Sequence, residues 1–271
     1  MPTFQGNPFS NFFKRILQIN QSSNTGVDAT TRNLQTGDGT NTAVSLSDDV
    51  LKVQAQSDNT TGTFVVANKA GSSIFSVDTT NSKVLVGASQ YAMNTQYTYF
   101  GRSHGADGST ADTWSSLFFG SSYILLDVVG QAMGTSTTSS FGDTNPASSL
   151  TLATTAHTTL PVYWYVPDNI TIDAIEWFSG AESATGDVLK AVMMAYDLDK
   201  ANGSTSGDLT NGSVVASSSN VTNNGYEQIH YNSMSVSSPN VDAGKCILLC
   251  VACDTVNSDY AISATVKYHL R

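Results

Sequence analysis

The C-terminal segment 259–270 constrains the fold most strongly, because its side chains alternate between two kinds along the whole segment. One set is mostly large and apolar, and the other is mostly polar or small: Tyr260, Ile262, Ala264, Val266, Tyr268 and Leu270 against Ala261, Ser263, Thr265, Lys267 and His269. A period of two residues is typical of a β-strand with one buried face and one solvated face. The segment therefore predicts a sheet with a core on one side.

The composition extends this prediction to the whole chain. Ser, Thr and Asn number 36, 32 and 20 among 271 residues, and 19 Asp stand against only 3 Glu. Helices favour Glu, Lys, Leu and Ala, whereas turns and loops favour Asp, Asn, Ser and Gly. A hydrophobic share of 40% can still build a core, which argues against long disorder. The predicted fold class is all-β.

Residues 121–271 carry most of the predicted strands. These lie near 122–129, 149–155, 160–166, 170–178, 187–197, 213–217, 226–236, 244–253 and 259–270, with turns rich in Gly, Asn and Ser between them. This spacing predicts a C-terminal antiparallel β-sandwich head, jelly-roll-like, and about 150 residues suffice for an independent core. Residues 91–120, with aromatic residues among small ones, are interpreted as a neck that closes a stem and begins the head.

The segment 26–90 is interpreted as a linker followed by a β stem. Residues 20–42 are polar and predict an extended linker, whereas short strands near 63–67, 73–78 and 83–87 form a predicted meander. Such a meander buries too little surface alone, and three copies wrapped about one axis would supply the missing core. The candidates for this oligomer contact are apolar strand residues: Phe64, Val66, Phe75, Val77, Val84 and Val86.

Residues 1–25 contain the predicted helix of the chain. Its apolar positions follow helical spacing after a capping Asn7-Pro8 pair: Phe9, Phe12, Phe13, Ile16 and Leu17. A helix of about 12 residues is unstable alone in water, so its apolar face needs a partner. It could pack on the chain's own core or dock on another protein. The polar segment that follows favours the second, an N-terminal anchor over residues 8–19.

The charge of the chain excludes several functions. A net charge of −10 with 12 scattered Lys and Arg residues provides no basic stripe for nucleic acid and no polybasic patch for a membrane. No apolar run approaches the ~20 residues of a membrane span. The N-terminal sequence does not have the organisation of a signal peptide, which predicts folding in a cytosol.

The chain offers no strong catalytic or metal motif, and we predict neither an enzyme nor a cofactor. Cys246 and Cys250 share a strand face but sit about 13 Å apart, too far for a disulfide, so buried free thiols are expected. The segment 197–208 departs from a calcium loop at several positions and is interpreted as a hairpin connection.

Aromatic residues remain as candidates for contact with a receptor. Tyr163 and Tyr165 should share one face of a strand and Trp164 the other, whereas Trp177 should lie on the same side as Ile175. Exposed Tyr and Trp side chains bind sugars and dominate protein interfaces, but a buried Trp is also usual in a sandwich core. Both interpretations stay open for these four residues.

The segments FVVAN (64–68), FSVDT (75–79) and VLVG (84–87) resemble shaft modules of tailed-phage fibre proteins, as do TRNLQ (31–35) and LSDD (46–49). The whole layout is similar to small virion appendage proteins of marine tailed phages. The resemblance implies a homotrimer attached to capsid or tail proteins through its N-terminus, with an outward C-terminal domain.

Together, these features predict a small trimeric fibre of a bacteriophage virion, assembled in the bacterial host cytoplasm. Its head would recognise a glycan or protein of the host surface. One alternative is a capsid decoration protein that stabilises the shell, and a second is an exported bacterial adhesin module.

Overall fold

The computed structural model describes residues 16–21, 26–87, 91–102, 110–120, 130–152, 156–181, 186–224, 228–255 and 260–271. The fold is all-β and built from several antiparallel sheets, which confirms the predicted fold class. The chain divides into two compact units, Met1–Asn94 and Thr95–Arg271.

The smaller unit contains two four-stranded sheets, ordered β1-β2-β3-β4 and β5-β6-β7-β8. Its strands are β1 (Leu17–Ile19), β2 (Arg32–Thr36), β3 (Asn41–Leu46), β4 (Leu51–Val53), β5 (Phe64–Ala67), β6 (Ser73–Asp78), β7 (Lys83–Val86) and β8 (Tyr91–Ala92). We call β1–β4 the first sheet and β5–β8 the second sheet.

The predicted meander is confirmed in the second sheet, and the turns explain why it forms. The Asn68 side chain accepts hydrogen bonds from the backbone N–H groups of Ala70 and Ser72, and Gly71 supplies the positive φ of that turn. In the next turn, Asp78 accepts hydrogen bonds from the backbone of Thr80 and Asn81. Asn and Asp favour turns through such local bonds.

Two predictions for the N-terminal part are wrong within the described residues. The anchor helix was expected to continue to residue 19, but Leu17–Ile19 is a strand whose Leu17 pairs with Thr36. The predicted linker also contains β2 and β3, which bond to each other. Pairing with a neighbouring strand satisfies this backbone, which a short helix without a partner does not achieve alone. The candidates Phe9, Phe12 and Phe13 lie outside the described residues.

The larger unit contains the remaining elements. Its strands are β9 (Thr95–Arg102), β10 (Thr113–Ser116), β11 (Phe118–Phe119), β12 (Ala132–Thr135), β13 (Trp164–Tyr165), β14 (Ile170–Ala181), β15 (Val188–Leu198), β16 (Leu209–Ser217), β17 (Val221–Thr222), β18 (Gln228–Ser233), β19 (Ser235–Val236), β20 (Asn240–Val241), β21 (Lys245–Cys253) and β22 (Tyr260–Leu270). One helical turn, α1 (Ala156–Thr159), precedes a 3-10 turn at Leu160–Val162.

These strands form two antiparallel sheets. The six-stranded sheet has the order β11-β9-β22-β14-β18, with β20 paired to β14. The eight-stranded sheet has the order β12-β10-β21-β15-β16-β19, with β13 paired to β21 and β17 paired to β15. Neighbouring strands in both sheets are often distant in sequence. The last two strands, β21 and β22, lie in the interior of the two sheets, so both sheets depend on pairing between segments far apart in the chain.

One hydrophobic cluster joins the two sheets of the larger unit. The six-stranded sheet contributes Trp177 and Val266, and the eight-stranded sheet contributes Met193 and Leu249, all nearly inaccessible to solvent. The alternation predicted for the last strand is confirmed over residues 262–266, where Ile262, Ala264 and Val266 are buried, but it fails at the end of the strand, where His269 is buried and Leu270 is 40% exposed. This cluster is the main core of the unit.

A second cluster covers the other face of the eight-stranded sheet. Residues 131–152 and 156–163 cover it, and two of the hydrogen bonds that hold them are donated by the Tyr196 hydroxyl to the Ala147 carbonyl and by the Trp114 indole to the Thr144 carbonyl. The central strand β21 is thus buried on both faces. This explains its continuous apolar sequence CILLCVAC, because a doubly buried strand needs no polar alternation.

Three predicted boundaries in the larger unit differ from the structure. Strands β9 and β10, which lie in the segment expected as a neck, pair with β22 and β21 inside this unit, so the unit begins at Thr95 rather than at 121. Of the strand predicted near 149–155, the described residues up to 152 contain one bridge, from Leu150 to Leu209, and residues 153–155 lie outside the described part of the chain. The strand predicted over 160–166 is confined to β13, because Pro161 has no N–H for a ladder and lies in the 3-10 turn.

Candidate interaction surfaces

The second sheet gathers all six predicted stem residues on one face. Phe64, Val77 and Val84 lie opposite one another across β5, β6 and β7, and the next row contains Val66, Phe75 and Val86. Cross-strand partners and residues two apart along a strand share a face. The rings of Phe64 and Phe75 contact each other edge to face, with centroids 6.1 Å apart.

The first sheet also has one apolar and one polar face. Ile19 lies opposite Leu34, Val44 opposite Val53, and Leu46 opposite Leu51. The other face carries only polar residues in the paired positions: Gln18, Asn33, Gln35, Ser45 and Lys52. A sheet with such a division is expected to cover its apolar face with another layer.

The side chains of these two apolar faces are at most partly buried in the single chain. Among the described side chains of the smaller unit, none of the apolar ones is buried, and Phe64 and Val66 are 41% and 45% exposed. The larger unit, in contrast, buries two apolar clusters. The smaller unit therefore lacks a core of its own within the described residues.

Two of the four receptor-contact candidates are core residues. Trp177 is buried with Ile175, on the same side of β14 as predicted. Trp164 packs against Phe119 with parallel rings 5.9 Å apart and is also buried. Both indoles face inward because their strand positions alternate with solvent-facing ones, so neither offers surface to a receptor.

The two tyrosines of this segment differ from each other. The Tyr163 hydroxyl donates a hydrogen bond to the Gly207 carbonyl, and burial raises the pKa of this phenol. Tyr165 is 44% exposed, and the Lys200 ammonium lies 5.6 Å from its ring centre. Of the four candidates, Tyr165 is the one with a largely open ring.

The outer face of the six-stranded sheet carries exposed aromatic residues that the sequence did not single out as a site. Tyr97 and Tyr99 project from β9, Phe178 projects from β14, and Tyr231 lies opposite Phe178 on β18. Their exposed fractions range from 45% to 58%. The alternation of β9 and β14 indicates which residues share a face, but only the strand register brings the three strands together.

The three cysteines are buried, as predicted, and none of them forms a disulfide. Burial raises the pKa of Cys246 to about 12 and moves the pKa of Cys250 in the same direction. Both thiols therefore stay protonated at neutral pH. A protonated buried thiol is neither a nucleophile nor a metal ligand, so these residues act as core side chains.

The segment 197–208 is a hairpin connection, as predicted, because Leu198 pairs with Leu209. Its carboxylates have internal partners: Asp199 accepts a hydrogen bond from Thr205, and Asp208 accepts one from the backbone of Leu152. Within the described parts of the chain, no group of three or more His, Cys, Asp or Glu residues could hold a metal ion.

His269 and Asp173 form the closest histidine–carboxylate contact described. Asp173 occupies an irregularity between Ile172 and Ala174, where β14 shifts register against β22, and its carboxylate lies 2.9 Å from Nδ1 of His269. The contact ties the last strand to this bulge. It thereby has a structural explanation that needs no catalytic role.

Comparison of the sequence with protein-family models and with curated proteins finds no match. Among the described helices, none is long and apolar enough to cross a membrane. The surfaces themselves therefore carry the functional argument.

Proposed function

We propose that this protein is a structural component of a bacteriophage virion, a small trimeric fibre whose smaller unit assembles with sister copies. The observation that carries the proposal is the smaller unit with two apolar sheet faces and no buried apolar side chain among those described. Folded units that bury too little surface alone depend on oligomerisation, disulfides or metals. The cysteines all lie in the larger unit, as buried free thiols, so sister copies are the fitting solution.

The strand order of the larger unit supports a finer description, a jelly-roll sandwich. Its eight principal strands, in chain order, are β9, β10, β14, β15, β16, β18, β21 and β22. If these are numbered 1 to 8, one sheet has the order 1-8-3-6 and the other has the order 2-7-4-5. Pairing the first strand with the last, and the second with the seventh, is the order expected when one long hairpin rolls up into two sheets. Jelly rolls occur in viral capsid and lectin domains, which agrees with a virion protein that presents a recognition domain.

Attachment to capsid or tail proteins through the N-terminus, and host-surface recognition by the larger unit, complete the proposal. Three weak sites on one assembly can exceed the affinity of a single site by ~10²–10⁴. A trimer would thus bind its host firmly through modest individual contacts.

Three experiments test this function. Light scattering on a size-exclusion column should give a solution mass near three chains for the full-length protein, and mass spectrometry of purified phage particles should detect its peptides. Removal of residues 1–15 should leave a soluble oligomer that no longer joins particles. A monomer at micromolar concentration, or normal incorporation of the truncated chain, would contradict the proposal.

The capsid-decoration alternative predicts a different result on particles. Loss of the protein would then lower the thermal stability of the shell while host adsorption stayed unchanged. A fibre gives the opposite pattern, with reduced adsorption and an equally stable shell.

A further inference from the structure

The two sheets of the larger unit differ in how their outer faces are covered. Residues 131–152 and 156–163 pack over the outer face of the eight-stranded sheet. The six-stranded sheet leaves Tyr97, Tyr99, Phe178 and Tyr231 about half exposed on its outer face. We call these four residues the aromatic platform. Large exposed aromatic residues gathered on one face indicate a binding surface.

A polar strand separates the two halves of the platform. On β22, Ser263 lies between Phe178 on one side and Gly101 on the other, and Thr265 is the direct partner of Tyr99. Ser263 and Thr265 are small and place hydroxyl groups between the two pairs of aromatic residues, and the longer Lys267 follows them on the same face beside Tyr97. These hydroxyl groups form the floor of the platform.

This combination matches the chemistry of a sugar ring. The faces of aromatic rings carry negative charge density, and the axial C–H bonds of a pyranose are electron-poor, so the two stack favourably. The hydroxyl groups of Ser263 and Thr265 can both donate and accept hydrogen bonds, as sugar hydroxyls also require. An apolar protein helix would leave this polar floor without partners.

The size of the platform also favours a sugar over a second copy of the chain. Strands lie about 4.8 Å apart and residues two apart along a strand about 7 Å, so three strand intervals and two such steps enclose ~200 Å². A stable protein interface needs about 800 Å² on each partner. A few sugar rings cover ~200 Å², whereas a protein partner would also have to cover the neighbouring surface, including Ile229, which is 77% exposed on the same face.

The charges beside the platform select a neutral ligand. Glu176 and Lys267 contribute one charge of each sign to the same face, and the chain as a whole carries a net charge of −10. Desolvation, followed by the negative charge of Glu176, raises the pKa of Tyr231, so this phenol remains a neutral donor. A strongly acidic polysaccharide would be repelled by such a protein.

We propose that the aromatic platform binds a neutral oligosaccharide, stacked between Tyr99 and Phe178 over the hydroxyl groups of β22. This inference rests on the proposed function, of which it names the receptor class. It also replaces the contact residues expected from the sequence, two of which are buried.

The test is a glycan array that carries neutral and sialylated oligosaccharides, probed with the full-length protein. We expect retention by a subset of neutral glycans. In titration calorimetry with a neutral glycan retained on the array, Phe178→Ala and Tyr99→Ala should each weaken affinity by roughly 10- to 100-fold, since each removes a half-exposed ring. Phe178→Tyr keeps the ring and should keep most of the affinity.

Tyr165→Ala is the matched control, because Tyr165 is 44% exposed against 45% for Phe178 but belongs to the eight-stranded sheet. It should leave glycan affinity unchanged, and all variants should unfold at the temperature of the unmodified protein.

Three outcomes would overturn the inference: no neutral glycan is retained, Phe178→Ala binds normally, or this substitution lowers the oligomer mass instead of glycan affinity. The last result would assign the face to a contact between copies. A monomer that still binds neutral glycans would refute the trimer and leave the platform intact, so the two proposals fail separately.

Discussion

Phe64→Asp is the sharpest test of assembly through the second sheet. Phe64 is 41% exposed in the single chain. A Phe side chain has about 200 Å² of surface, so about 80 Å² would leave water when copies associate. At about 25 cal/mol per Å², this burial contributes ~2 kcal/mol per copy and ~6 kcal/mol per trimer. Asp removes that contribution and adds a charge that an apolar contact must desolvate.

A loss of ~6 kcal/mol raises the equilibrium constant for dissociation of a trimer into three monomers by about four orders of magnitude, and because this constant scales with the square of concentration, the concentration of half-dissociation rises by about two orders of magnitude. Light scattering across a dilution series measures this directly. Val65→Asp is the matched control, because Val65 is 49% exposed on the same strand but points to the other face. If Phe64→Asp keeps the mass of the unmodified protein, or if Val65→Asp dissociates it equally, the reasoning about this face is refuted.

Three further predictions concern the larger unit. Trp177→Ala empties a fully buried site and should lower the free energy of unfolding in urea by about 3–5 kcal/mol; a loss below 1 kcal/mol would contradict its place in the core. Gly212→Ala would bring a methyl group to 2.3 Å from the Tyr196 ring and should cost about 1–3 kcal/mol in the same assay, whereas an unchanged midpoint would show that the ring moves freely. Cys246 and Cys250 of the folded protein should not react with a thiol reagent at pH 8, because burial raises the pKa of Cys246 to about 12 and also raises the pKa of Cys250. Rapid labelling of these thiols in the native protein would contradict their burial. The unfolded thiols lose protons near pH 9 whereas the buried ones do not, so the free energy of unfolding should fall as the pH rises from 9 towards 12.

Local patterns were sufficient where a strand and its turns lie close together in sequence. The strand Ser73–Asp78 has the bounds predicted for it, and the alternation of the last strand correctly assigned Ile262, Ala264 and Val266 to the buried face, although not the buried His269 or the exposed Leu270. Both signals depend on the period of a strand and on turn residues, which act over a few positions. The six apolar residues of the second sheet share a face for the same reason.

Pairing between distant segments was not accessible to the same reasoning. Leu17 has helical spacing with the preceding phenylalanines, yet its backbone bonds to β2. The stretch 95–102 was assigned to a neck, although it pairs along its length with the last strand of the chain. Nothing within such a segment specifies which distant strand will be its neighbour.

The amino-acid sequence by itself determined the all-β class, the positions of the long strands β14, β15, β21 and β22 and of β5, β6 and β7, and the burial of the cysteines. Only the tertiary structure decided which aromatic residues remain in water. Trp164 and Trp177 entered the core, whereas Tyr99 and Phe178 stayed outside, because cross-strand register and the cover over each sheet select the exposed face. Burial depends on which layers pack together, and the proposed sugar site lies on the outer face of the six-stranded sheet, where aromatic side chains remain exposed.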